Sequence, residues 1–158
     1  MHHIRLLTPQ DDLAAAAQVY TDSWKSTYER SLPQRFLDKL TPERWLGMLR
    51  ADPSASLGLF ENGRIIGTAM VNIPRGEIVS LYLLPEAVGK GWGRQLLHSA
   101  MEVLLANGCE KVCLWVMCQN THAISFYLRQ GFHPTGRVME ETYGTAAAEL
   151  MEMVRLLP

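Results

Sequence analysis

Nowhere in the 158 residues does an apolar run approach the roughly 20 that a membrane-spanning helix needs. The N-terminal stretch, with His2, His3 and Arg5, also lacks the long apolar segment of a secretory signal. Neither a membrane partner nor export is expected. Cysteine is scarce: Cys109, Cys113 and Cys118 are the only three, odd in number, grouped in an apolar stretch and without metal-ligand spacing. That excludes a disulfide framework, leaves packed thiols as the reading, and fits a reducing cytoplasm. Excess charge of one sign is missing too, since 15 Lys and Arg stand against 16 Asp and Glu, scattered along the chain. No basic face remains to neutralise a row of phosphates, so nucleic acid is not the expected partner. Low-complexity linkers and internal repeats are absent, and 47% apolar residues over this length suffice for one buried core. One domain over residues 1–158 is the expectation.

What is present is clear punctuation between segments of changing hydrophobic period. Residues 4–7 read as a short strand. In TPQDDLAAAAQVYTDSW, Thr8 stands as N-cap with Pro9 at the first helical position and Asp11 in the first turn. Leu13, Ala17, Tyr20 and Trp24 then line one face of the predicted helix. Pro33, and then Thr41 with Pro42, repeat the start signal for a short helix and a longer one. Residues 57–60 and 64–72 flank Asn62-Gly63, the signature of a β-hairpin. EIVSLYLL, after the break at Pro74-Arg75-Gly76, is apolar, β-branched and aromatic, as a central strand should be. A helix is predicted over residues 88–107, with Leu96, Leu97, Ala100, Leu104 and Leu105 as its buried stripe and Gly108 as its stop. Residues 111–117 read as a strand, Asn120 caps a helix ending at Gly131, and two strands follow around 136–142 and 149–156. The order β-α-α-β-β-β-α-β-α-β-β predicts an α/β (α+β) domain, a mixed sheet with helices on its faces. The exposed C-terminal strands suit a homodimer.

VGKGWG, residues 88–93, puts three glycines on alternate positions between the end of a strand at Leu84 and the start of a helix. The first N–H groups of a helix have no carbonyl partner, and the helix dipole adds partial positive charge there. With no Cβ at Gly89, Gly91 and Gly93, an anion can approach the backbone, and a pyrophosphate is the natural guest. A plain flexible turn with an ordinary cap is the competing reading. A Walker motif would need Gly-Lys-Ser/Thr, and here Gly91 follows Gly89-Lys90, which disfavours phosphoryl transfer from ATP. A dinucleotide fold would place the glycines after the first strand, with an acid about 20 residues on at the end of the next strand. The loop follows the fourth strand and Glu110 precedes the fifth, which disfavours a nicotinamide cofactor.

Two separated segments resemble the GNAT superfamily of N-acetyltransferases, and the likeness spans nearly the whole chain. The family's Gln/Arg-x-x-Gly-x-Gly/Ala loop is matched by Val88-Gly89-Lys90-Gly91-Trp92-Gly93, with Val88 in place of the usual Gln or Arg. NTHAISFYLRQGF is similar to the family's Asn-x-x-Ala-x-x-Phe-Tyr-x-x-x-Gly-Phe at Asn120, Ala123, Phe126, Tyr127, Gly131 and Phe132. The resemblance implies a mixed, mostly antiparallel sheet of about seven strands with helices on both faces. It implies acetyl-CoA as cofactor, no metal, and direct transfer of the acetyl group to a primary amine, on a small molecule or an amino terminus. A non-catalytic acyl-CoA sensor on the same fold and a longer acyl donor are the open alternatives.

The same resemblance assigns residues. The loop from Val88 to Gly93, with Arg94, would bind the CoA pyrophosphate through backbone amides. Leu81 and Leu83 would pair with the pantetheine arm, and Asn120, Ala123 and Phe126 would line it or serve only as cap and packing. Tyr127 resembles the family's tyrosine that gives a proton to the departing thiolate, as a phenol with a pKa of about 10 can at neutral pH. Its alternative is a half-buried core tyrosine. Glu77, the only acid on the fourth strand, stands as far before the glycine loop as the catalytic glutamate of the family's histone acetyltransferases. It is either the general base or a solvated carboxylate at a strand start. Trp24, Tyr28 and Glu29 fall where the family builds its acceptor pocket, although Trp24 also lies on the apolar face of its helix.

Overall fold

The computed structural model describes residues 1–143 and 146–158. In chain order these residues form β1 (His2–Leu6), α1 (Leu13–Tyr28), α2 (Gln34–Leu37), α3 (Glu43–Ala51), β2 (Ser56–Glu61), β3 (Arg64–Asn72) and β4 (Glu77–Leu83). Then follow α4 (Trp92–Ala106), β5 (Lys111–Met117), α5 (Thr121–Arg129), β6 (His133–Tyr143) and β7 (Ala146–Leu156). The strands make one sheet in the order β1-β2-β3-β4-β5-β7-β6. All neighbours are antiparallel except β4 and β5, which run parallel.

Two helix starts differ from the sequence expectation. Helix α1 starts at Leu13, with Asp12 as its cap accepting from the Ala15 N–H at 3.0 Å. Thr8 and Asp11 belong to the preceding turn: the Asp11 carboxylate accepts from the Thr8 N–H and from both terminal nitrogens of Arg5, at 2.6 to 2.8 Å. Helix α4 starts at Trp92 and not at residue 88, because Gly89 and Gly91 sit at φ +80° and +84°, which a right-handed helix excludes. The short helix expected after Pro33 is α2, and the longer one expected after Pro42 is α3. The hairpin turn is as read, with Asn62 and Gly63 both at positive φ.

Helices cover both faces of the sheet, and β4 shows how. Successive residues of a strand point to opposite sides. Tyr82 meets the ring of Tyr20 on α1 edge-on at 5.9 Å, while a Cβ built on Gly93 of α4 would lie 3.6 Å from Leu83. The Tyr20 hydroxyl shares a hydrogen bond with Ser56 Oγ of β2 at 3.1 Å, fixing α1 across the first strands. Leu96, Leu97, Ala100 and Leu104 of α4 are fully buried against the other face, as the helical period required, whereas Leu105, expected in the same stripe, is 42% exposed because it turns past the sheet to solvent.

The widest break in the sheet is in its middle. Along β5 and β7 every residue from Lys111 to Met117 has a partner, but β4 and β5 are in register only at Glu77 and Cys113. Gly76 sets that closed end. A Cβ there would come within 2.9 Å of the Lys111 carbonyl, so only glycine lets the β3–β4 turn approach β5, where the Cys113 N–H donates to the Gly76 carbonyl at 2.9 Å. Beyond Ile78 the two strands part.

Candidate active site

The glycine segment lies beside the open end of that gap. Gly91 is the N-cap of α4 and offers no side chain to the first turn, whereas α1 and α5 are capped by Asp12 and Asn120. The first amides of α4 are therefore left without intrahelical partners. Nothing lies within 4 Å of where a Cβ of Gly89 or Gly91 would be, so this end of the helix is open and can hold an anion. Val88, Lys90 and Arg94 are exposed around it, and Trp92 is half-buried. Gly93 differs from the other two: it is inside the helix, and its Cβ position meets Leu83 and Phe126 at ordinary contact distances. Leu83, Gly93 and Phe126 thus line one side of the gap, with half-buried Leu81 behind them on the same strand. Asn120 accepts from the Ala123 N–H at 3.1 Å, so it does cap α5.

A second group gathers around Tyr127. Its ring packs edge-on to Phe126 at 5.3 Å and to Phe132 at 5.7 Å. Burial first, and the nearby Tyr28 phenol second, push its hydroxyl up to about 12. Tyr28 leans on Trp24 at 4.1 Å and packs with Trp115 against Met117, Ala148 and Leu150. Burial also raises the Tyr28 phenol, and the Glu141 carboxylate adds to the rise. Trp24 is itself core, 9% exposed and 6.2 Å from Phe36. Glu29 is exposed at the C-terminal cap of α1.

Glu77 belongs to a third group, at the closed end of the gap. Its carboxylate is half-buried, 3.9 Å from Arg75, and opposite Cys113. Burial pushes its carboxyl above the usual range, Arg75 pulls it back, and Glu152 raises it further. Glu152 is 8% exposed and accepts from the Thr135 hydroxyl at 2.9 Å and from Arg137 at 3.2 Å. Glu77, Cys113 and Glu152 share a face, because Glu152 pairs with Trp115, two residues along from Cys113. Burial, Glu77 and Glu152 together hold the Cys113 thiol above its ordinary value.

Sequence reasoning missed Glu152 and His2. The signal for Glu152 was a lone acid inside LMEMV, which a strand buried on both faces does not tolerate unpaired. His2 carried none: its imidazole stacks on Trp92 at 4.0 Å while Nε2 lies 3.3 Å from Glu61, a contact made by strand order alone. A separate cavity of about 790 Å³ opens away from the gap, between β1, the start of α1 and the hairpin tip, lined by Arg5, Asp12, Asp22, Arg64 and Glu86.

The family model described as "Acetyltransferase (GNAT) family" matches residues 14–132, which include the gap, the glycine loop and Tyr127. The chain belongs to the GNAT family. The N-acetyltransferase YuaI of Bacillus subtilis, itself uncharacterized, is 31% identical over 154 residues, covering 90% of this chain and 86% of that protein. The spermidine N(1)-acetyltransferase of Thermoplasma acidophilum is 29% identical over 133 residues, 77% of this chain and 83% of that one. The crystal structure of the PaiA N-acetyltransferase of Thermoplasma acidophilum in complex with coenzyme A superposes with a TM-score of 0.73 at 25% identity over 99% of both chains. The seven-stranded mixed sheet is thus the GNAT sheet, and the protein is an acetyl-CoA-dependent acyltransferase. No helix among the described residues is long and apolar enough to cross a membrane.

Proposed function

We propose that the chain transfers an acetyl group directly to a primary amine, on a small cationic molecule or an amino terminus, within a ternary complex. One observation carries the reading: the sheet opens between β4 and β5, with the uncapped end of α4 on one side of the opening and a strongly protonated Tyr127 on α5. Bound acetyl-CoA supplies the activated thioester. The amides of Gly91, Trp92, Gly93 and Arg94 hold its pyrophosphate, helped by the space at Gly89 and the charge of Lys90, with Val88 at the loop entry. The edge of β4 at Leu81 and Leu83 that faces away from β3, where the Leu83 carbonyl accepts from the Ser23 hydroxyl at 3.4 Å, faces the pantetheine arm, which Ala123 and Phe126 line and Asn120 supports.

Tyr127 keeps a proton on Oη for the departing thiolate, and burial secures that proton throughout the neutral range. Glu77 accepts the proton of the incoming ammonium through a water, since it sits in a different cluster from Tyr127. Its raised pKa brings it closer to the working pH, which suits a base. Tyr28 and Trp24 wall the acceptor, with Glu29 at the mouth. The Thermoplasma relative, by its name, acetylates spermidine. The carboxylates of Glu77, Glu152 and Glu141 share one face of the sheet, which favours a cationic acceptor here too.

The test is a panel of polyamines, amino acids and short peptides offered with acetyl-CoA, with release of free thiol as the signal. A polyamine or other small primary amine should head the ranking. If acetyl-CoA binds tightly and no amine is turned over, the chain is a non-catalytic acyl-CoA sensor instead.

A further inference from the structure

Helix α5 carries Tyr127, yet none of its residues is fully buried and Leu128 is 46% exposed. Its ends therefore decide where it sits. At the start Asn120 supplies the cap already described, and at the end the chain closes in a Schellman turn, with Gly131 at φ +87°. The Gly131 N–H donates to the Leu128 carbonyl at 3.1 Å, and the Phe132 N–H donates to the Tyr127 carbonyl at 3.0 Å. That second bond ties the backbone of Tyr127 to the buried residue whose ring packs against its own.

The turn leaves the C-cap carbonyl, that of Gln130, to be satisfied from elsewhere. Arg155 of β7 does this: its Nη1 donates to the Gln130 carbonyl at 2.8 Å and lies 3.9 Å from the Met101 sulfur of α4. The guanidinium also rests on the turn itself, since a Cβ built on Gly131 would lie 3.4 Å from Nε and 3.7 Å from Cζ. Its register opposite Val112 of β5 fixes where the side chain leaves the sheet. Arg5, Arg64, Arg75 and Arg137 each reach a carboxylate, whereas Arg155 reaches a backbone carbonyl and a sulfur. A cation placed there also meets the negative end of the α5 dipole.

We propose that Arg155 is a positioning residue for Tyr127: by clamping the last turn of α5 to β7 and α4 it holds the phenol in place and so sets the rate of proton delivery to the departing thiolate. The inference rests on the reading of Tyr127 as that proton donor. Tyr127 stands three residues before Gln130, so a slip of the clamped carbonyl reaches the ring within one helical turn. A misplacement of about 1 Å is enough to cost on the order of tenfold to a hundredfold in rate. The clamp meets α4 at Met101, ten residues or about 15 Å along the helix from Gly91. Cofactor affinity should therefore not depend on it.

Arg155→Met keeps an unbranched side chain beside Met101 and removes the donor. Amide exchange in the last turn of α5, at Gln130, Gly131 and Phe132, should quicken by about tenfold or more, a reading that needs no acceptor. With the best amine of the panel, kcat should fall about tenfold while the dissociation constant of acetyl-CoA stays that of the parent. Arg155→Lys returns the charge to the helix end without the planar fork, so it should recover part of both, and it carries the same comparisons if the Met variant is too unstable to assay. The deciding comparison is a double-mutant cycle. In a Tyr127→Phe chain no proton is left to place, and Arg155→Met should cost nothing further in kcat. Equal losses in the two backgrounds would mark a general effect on the fold and overturn the proposal, as would parent-like exchange of the three amides. A Tyr127→Phe chain with the kcat of the parent is a separate failure, because it removes the donor reading and the proposal with it.

Discussion

A phenol that holds its proton to about pH 12 is a poor base and a dependable donor, which suits Tyr127 to the proposed role. Tyr127→Phe keeps the ring contacts with Phe126 and Phe132 and removes one proton. Turnover should fall by about 10²-fold or more, with the dissociation constant of acetyl-CoA little changed, as rapid-quench and calorimetric measurements would show. The same shift has a stability consequence. A group whose folded pKa lies above its unfolded value stabilises the fold below the unfolded value, and this contribution is lost as pH rises through the folded one. Between about pH 10 and 12 the parent should therefore lose stability faster than the Phe variant. For Glu77 the direction is also upward, so the ionised carboxylate is held at a cost to the fold at neutral pH. Glu77→Gln should raise the melting temperature at pH 7 and lose that advantage in acid, where the carboxyl is protonated in both states. Its kcat should fall at neutral pH and recover in part as the amine deprotonates unaided. Superimposable pH–rate profiles for Glu77→Gln and the parent would remove this residue from the reaction.

At the scale of an element, the start of α4 joins conformation to binding. Gly91→Ala meets no steric obstacle, yet the φ of +84° imposes a strain of about 1–2 kcal/mol, so it should cost stability and leave some affinity. Gly91→Glu adds a carboxylate at the proposed anion site and should abolish the shift in melting temperature that acetyl-CoA gives the parent. Strand β1 reaches the same loop through His2, stacked on Trp92 and paired with Glu61. His2→Ala should raise the KM for acetyl-CoA with kcat unchanged, and His2→Phe, which keeps a ring on Trp92, should restore most of it. Equal KM values for all three chains would make the stack incidental to the loop.

For the whole molecule, α1 and α4 lie on opposite faces of one sheet, and the central strands β3 and β4 are shared between them. A loss on either face should then be felt everywhere. Leu97→Ala, on a fully buried position of α4, should cost about 2–5 kcal/mol and lower the melting temperature of one cooperative transition. Two separable transitions in a calorimetric scan would show that the parts fold independently and that the chain is not one domain.

Local chemistry was enough to read the hairpin at Asn62-Gly63, the buried stripe of α4, the strand at Glu77–Leu83 and the Asn120 cap, since each depends on residues close in sequence. The GNAT motifs were equally legible because an anion site and a splayed strand demand fixed residues at fixed spacing. Starts of helices were less so: Thr8-Pro9 looked like a cap, and only the grip of Arg5 on Asp11 moved the start to Asp12. The distant neighbours of the candidate site residues were decided by the tertiary structure alone. Tyr28 stands against Tyr127 at a separation of about a hundred residues, Glu152 stands beside Glu77, and His2 stands on Trp92. A sequence fixes which side chains share a strand or helix face, because that follows from the backbone period. Which strands lie side by side depends on the free energy of the whole sheet, and that order brought the distant pairs together.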